Sequence, residues 1–199
     1  MNKATFLQSF KLAPLAASSQ QFRYQLISKK PLRSAAVLIA IIEEADGLKV
    51  LLTRRAKHLK HHAGQISFPG GKVEEQDANL IETATREFEE EIGISASQLE
   101  IVGNLHPYQT ISGFEVLPIV AFLNPPLATA FDEGEVDEVF YVPLSHCLDQ
   151  SNHLHVNTQI KGKSYPVTFI PYQDYNIWGA TAAMLKDFAN HMSQATATV

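Results

Sequence analysis

Apolar residues first cluster in two runs, 35–42 ("AAVLIAII") and 50–53, separated by "EEADGLK". A run of that length is too short to cross a bilayer and suits a strand buried on both faces. Asp46-Gly47 between the runs is a hairpin turn signal. "HHAGQISFPGG" then reads as a Gly- and Pro-rich loop. Residues 78–92 follow with helical periodicity, with Asp77 placed to cap the helix and Gly93 to end it. "LEIVGNLHP" and "FEVLPIVAFL" read as strands on either side of "YQTISG", and "EVFYVPL" as a further short strand after the loop "PPLATAFDEGE". "HLHVNTQIKGKSYPVTFIPY" reads as a hairpin turning at Lys161-Gly162-Lys163. The last element is an amphipathic helix from Gly179 to about Met192. Residues 1–30 form an amphipathic or irregular extension, because Pro31 disfavours a helix running through it; residues 31–199 form the main domain. Strands before and after a central helix, with another helix at the end, predict α/β architecture: a mixed sheet with helices on its faces.

The chain has 199 residues, 45% hydrophobic and 19% charged, enough for a single domain with a substantial core. A formal net charge of -5 argues against a general nucleic-acid binder. No stretch has the continuous apolar core of a signal peptide or a membrane span, and one cysteine, Cys147, forms no internal disulfide. These features predict a cytoplasmic location with no membrane partner. Cys147 lacks a surrounding motif and reads as a small buried hydrophobe.

The segment 78–92 breaks two local rules at one place. At about 100° per residue, Ile81, Ala84, Phe88 and Ile92 share one arc, the expected core stripe. Glu87, Glu90 and Glu91 occupy the neighbouring arc, while Glu82 and Glu89 point to solvent. Three carboxylates at i, i+3 and i+4 repel one another. They also crowd the helix C-terminus, where the macrodipole disfavours negative charge. A plain solvated acidic helix would account for the charge but not for its convergence beside Arg86 between Gly70-Gly71 and Gly93. Such violations mark functional sites. A hard divalent cation such as Mg²⁺ or Mn²⁺, which prefers oxygen ligands, resolves both. Lys72 and the "FPGG" turn stand beside it to hold a phosphate, which suggests metal-assisted attack of water on a phosphate.

"REFEEEIGI", 86–94, resembles the second half of the Nudix box, G-x5-E-x7-R-E-U-x-E-E-x-G-U (U apolar), at every specified position. The first half departs: counted from Gly71, Asp77 takes the place of the Glu, and eight residues rather than seven precede Arg86. Upstream, "LLTRRAKHLKHHAGQISFPGG", 51–71, resembles the signature of the coenzyme A pyrophosphatases within the Nudix family. Leu51, Leu52, Thr53, Arg55, Ala56, Lys60, Gly64 and the residues 68–71 all fit it.

The resemblance implies a Nudix-type α/β/α sandwich. It also implies hydrolysis of coenzyme A or its derivatives to 3′,5′-ADP and 4′-phosphopantetheine. Glu87, Glu90 and Glu91 are the implied metal ligands, and Arg86 orients carboxylates within the box. The basic stretch Arg54, Arg55, Lys57 and Lys60 offers counter-charge to the phosphates, and Gly70 and Gly71 permit a tight turn and close approach of substrate. A further acid from beyond the box is expected in "FDEGEVDEVF", where Glu135 is favoured over Asp132, Glu133, Asp137 and Glu138; Glu115 is a weaker candidate. The histidines of "KHLKHH" read as surface residues, and the aromatics of 172–178 as core packing or helix entry. Two rivals stand beside this reading: a Nudix pyrophosphatase acting on ADP-ribose, NADH or another nucleoside diphosphate derivative, and a non-catalytic nucleotide-sensing module. A homodimer is left open.

Overall fold

The computed structural model describes residues 1–13, 31–59, 62–125, 130–160 and 163–196. The helices are α1 (Lys3–Leu12), α2 (Leu80–Ile92), α3 (Leu144–Leu148) and α4 (Gly179–Thr196). The first strands are β1 (Arg33–Glu44), β2 (Gly47–Arg55), β3 (Ile66–Ser67), β4 (Gly70–Lys72), β5 (Leu99–Asn104) and β6 (Tyr108–Gln109). They are followed by β7 (Phe114–Leu123), β8 (Val136–Pro143), β9 (Leu154–Ile160), β10 (Lys163–Tyr172) and β11 (Tyr175–Trp178).

The large sheet runs β3-β2-β1-β7-β5, with β4 paired to β1, β6 to β7 and β8 to β2; β9, β10 and β11 form a separate antiparallel sheet. The parallel pair β1–β7 makes the large sheet mixed. β1 is its buried axis, and that explains the unbroken apolar run. Leu38, Ala40 and Ile42 pack with Ala84, Phe88 and Ile92 of α2. Ile39 and Ile41 pack on the opposite face with Phe6, Leu185 and Phe188 of α1 and α4. The result is an α/β/α sandwich. Glu44 pairs with Gly47, so the β1–β2 turn consists of Ala45 and Asp46, and Gly47 takes a φ of 127° that favours glycine.

Several elements differ from expectation. The predicted loop before α2 contains β3 and β4, which are too short to show a period. The N-terminal extension begins as a true helix: Asn2 caps α1, and Phe6 and Phe10 enter the core against Phe188. The remainder of that extension, 14–30, lies outside the described residues. The aromatic stretch 172–178 contains β11, which pairs with β10 and buries Ile177. α4 continues to Thr196. Among the described residues no helix is long and apolar enough to cross a membrane.

Candidate active site

The start of α2 corrects one expectation. Its N-cap is Asn79, not Asp77: the Asn79 side chain accepts from the backbone N–H groups of Ile81 and Glu82. Glu82 accepts in turn from the Ala78 N–H at 2.9 Å, so this solvent-facing acid also closes the helix start. Asp77 is engaged elsewhere. Both its oxygens accept from Arg86, at 2.9 Å from Nε and 3.0 Å, and it also takes the Thr83 hydroxyl and the Glu74 N–H. The Arg86 guanidinium holds the Asp77 carboxyl well below the usual carboxylate range. Ile81 is also corrected. It is 42% exposed although it lies on the apolar arc; a wheel gives a side chain's angle, not how far along the helix the covering sheet extends.

Arg86 is a hub. Besides Asp77, its Nη1 donates to Glu87 at 3.1 Å and to Glu90 at 2.9 Å, and its Nη2 donates to the Lys72 carbonyl at 3.2 Å. It thereby ties the helix to the end of β4. At Gly71 a Cβ would run into the Glu87 carboxylate and push it from its place beside Arg86; at Gly70, whose φ is 153°, a Cβ would strike the Ala36 carbonyl on β1. In this structure the room these glycines leave is taken by the chain's own Glu87 and β1, rather than by an open approach for substrate.

Glu91 is the most buried carboxylate of the helix, 4% exposed. Burial pushes its pKa up to about 8, against the opposing pull of Arg55; Glu87 and Glu135 raise it further, and the Gly70 N–H lowers it. Burial also raises Glu87, opposed by Arg86 and reinforced by Glu90 and Glu135. Glu135, from another part of the chain, lies near enough for its charge to act on both box carboxylates. Its acidic neighbours have other engagements. Asp132 accepts from Gly134 N–H, Asp137 from Lys57 N–H, and Glu138 from Tyr175. Glu115 accepts from Gln109 across the β6–β7 pair.

The Glu135 loop is docked on the exposed end of α2. The Ala130 and Asp132 N–H groups donate to the carbonyls of Ile92 and Glu91 at 3.2 and 3.1 Å, and the Ala56 N–H donates to the Glu135 carbonyl at 2.8 Å. A helix that ends without a basic residue thus has its last carbonyls satisfied by the segment that delivers the further acid. Gly93, in the left-handed region, allows it, since a Cβ there would meet the Ala130 carbonyl. Nothing in the sequence signals this docking except the glycine.

The basic stretch is not gathered into one patch. Arg55 lies on the α2 side, with Nη1 4.0 Å from Glu91 Oε1, whereas Arg54 lies on the opposite face, 3.2 Å from Glu138. The side chains of Lys57 and Lys72 are exposed, and Lys60 lies outside the described residues.

Among the described residues no group of three or more His, Cys, Asp or Glu side chains is drawn into a ready metal cage. Of the expected trio, Glu87 and Glu90 meet on one nitrogen of Arg86, Glu90 with its side chain 59% exposed, while Glu91 lies buried beside Arg55. The donor chemistry does fit a hard divalent cation: the carboxylates of Glu87, Glu90 and Glu91, with Glu135 near Glu87 and Glu91, are oxygen donors, and burial disfavours the charged form of Glu87 and Glu91.

A sandwich presenting such carboxylates beside an arginine at the end of β2 defines a class, the Nudix hydrolases. Residues 32–160 match the NUDIX domain. The chain is 40% identical over 174 residues to the Nudix hydrolase NudL of Shigella flexneri serotype 5b (strain 8401), a match covering 84% of this chain and 90% of that one. It has the same identity and coverage with NudL of Enterobacter sp. (strain 638). The Nudix hydrolase RenU of M. smegmatis shares the fold, with a TM-score of 0.57 at 21% identity over 85% of this chain and 89% of that one. The chain belongs to the Nudix family and is a pyrophosphohydrolase. Enzymes of this family use divalent metal ions.

Proposed function

We propose that the chain hydrolyses the pyrophosphate bond of coenzyme A, or of its acyl or oxidised forms, to 3′,5′-ADP and 4′-phosphopantetheine or its derivative. The observation that carries this reading is the meeting of the two motifs. The upstream run supplies Arg55, 4.0 Å from Glu91, and Gly70, whose N–H faces the same carboxylate. In this reading Glu87, Glu90 and Glu91 would hold Mg²⁺ or Mn²⁺, which would supply counter-charge to the pyrophosphate and acidify water. Glu135 takes a proton from the attacking water. The new P–O bond forms as the bridging P–O bond breaks, and the leaving phosphate departs as an anion. Arg55 neutralises charge on the diphosphate, and Arg86 fixes Glu87 and Glu90 from behind. A cytoplasmic setting and a small-molecule partner, with neither nucleic acid nor membrane, belong to the same reading.

The test is mass analysis of products from coenzyme A with Mg²⁺ or Mn²⁺, repeated with chelator. Metal-dependent release of 3′,5′-ADP, strongly reduced in Glu90→Gln, is expected. Intact coenzyme A under conditions where ADP-ribose or another dinucleotide is cleaved would keep the chemistry and overturn the substrate. No turnover of any of these by folded protein with metal would favour a sensing role.

A further inference from the structure

Arg54 and Arg55 are neighbours in sequence that serve opposite faces of the large sheet. Along β2, Leu51 belongs to the α2-side core, whereas Val50 and Leu52 belong to the α1/α4-side core. At the bulge between them the two arginines also part, as their partners show. Arg55 reaches towards Glu91. Arg54 reaches the other way and is held on two sides: Nη2 is 3.2 Å from Glu138, and the guanidinium carbon lies 5.2 Å from the centre of the Tyr175 ring. Tyr175 is itself fixed. Its hydroxyl donates to Glu138 at 2.7 Å, and its ring stacks on Phe140 at 3.8 Å with 3° between planes. Arg54, Glu138 and Tyr175 therefore lock one another, while the Arg54 side chain stays 29% exposed. A guanidinium has five N–H donors, and one carboxylate does not use them all. Extended side chains on opposite faces cannot close on one diphosphate, but both stand at the same end of β2. A substrate lying across that end meets the carboxylates and Arg55 on one side and Arg54 on the other.

We propose that Arg54 binds a second phosphate of the substrate, a monoester remote from the pyrophosphate, with Glu138 and Tyr175 as the residues that position it. This rests on the coenzyme A reading, in which the 3′-phosphate is that group. Glu138 partly offsets the charge of Arg54 and weakens its hold on anions in general. In exchange its geometry is fixed, and a dianionic monoester with several acceptor oxygens benefits most.

The experiment measures kcat/KM for coenzyme A and for dephospho-coenzyme A, the same molecule without its 3′-phosphate. The proteins are the wild type, Arg54→Gln, Arg55→Gln, Glu138→Gln and Tyr175→Phe. The wild type is expected to prefer coenzyme A by about tenfold or more. Arg54→Gln brings the ratio close to one, chiefly through KM, whereas Arg55→Gln lowers both substrates alike and keeps the ratio. Glu138→Gln and Tyr175→Phe shift the ratio part of the way, and Arg54→Lys restores part of it. A merely structural tie would lower both substrates equally in Arg54→Gln, and that result overturns the proposal. So does a wild type that does not distinguish the two substrates. Cleavage of neither, with cleavage of another nucleoside diphosphate derivative, instead overturns the coenzyme A reading beneath it. Inhibition of the wild type by 3′,5′-ADP against AMP is a second readout that needs no variant: 3′,5′-ADP is expected to bind tighter, and equal inhibition counts against the proposal.

Discussion

On one face of the large sheet α2 buries Phe88 and Ile92 together with Glu91 and most of Glu87. On the other face α1 and α4 bury Phe6, Phe10, Leu185 and Phe188, with stacked and edge-on rings. The second face is built almost wholly of apolar and aromatic side chains, with the buried His191 as an exception, and carries stability. The first tolerates buried, mutually repelling carboxylates at a helix C-terminus and needs Arg86, two glycines and a docked loop to hold them. Chemistry and stability are thus separated by one layer of strands, and the molecule can be perturbed on either side.

The sharpest break is expected from Glu91→Gln. It should lower kcat by at least about 100-fold. The melting temperature measured without divalent ions should hold or rise, because a buried like-charged group is removed. A large drop in stability would mean that Glu91 is structural. Phe6→Ala is the mirror experiment. It should cost about 3–5 kcal/mol in denaturant unfolding and leave kcat in the folded fraction close to wild type.

Asp77→Asn strikes the tie within the box between Asp77 and Arg86. It removes the charge that clamps Arg86, so kcat/KM should fall by about tenfold and the melting temperature should fall as well. Asp77 has a depressed pKa. The stability it contributes is present above the ordinary carboxylate range and is lost as pH falls through and below it, and Asp77→Asn should lose that dependence. Asn79→Ala removes the cap of α2 and should cost about 1 kcal/mol, or about 2–4 °C.

The smallest effect concerns the quiet face. His191 Nε2 donates to the Phe10 carbonyl at 3.1 Å, linking α4 to the last turn of α1, and burial holds its pKa below the ordinary 6.5. Burial likewise lowers His153. Both are neutral when folded and take up protons more readily when unfolded. Their contribution to stability should therefore be full above about pH 6.5 and decline as pH falls below it, while Glu91, with its raised pKa, contributes in the opposite sense over the same range. Thermal melts from pH 7.5 to 5 should show the histidine contribution as a difference in slope between the wild type and His191→Gln. An unchanged slope would remove His191 from the account.

The strands of the large sheet were legible where their apolar runs exceed a few residues, as in β1, β2 and β7. β3, β4 and β11 were not, because such short segments become strands only through their partners. In the site, the arc of Glu87, Glu90 and Glu91 could be drawn from spacing, but spacing did not reveal that one nitrogen of Arg86 would hold Glu87 and Glu90 together. Gly71 was visible as a glycine; the carboxylate filling the space of its missing Cβ was not.

The sequence by itself determined the class of fold, the acidic helix with its arginine and the Gly93 stop, because helical period, strand alternation and backbone permissiveness are local properties. Only the tertiary structure decided that Asp77 binds Arg86 rather than capping the helix, that Glu135 comes near Glu87 and Glu91, and that Arg54 and Arg55 part company. Those choices depend on burial and on charges from distant segments, and neither exists until the sheet has assembled.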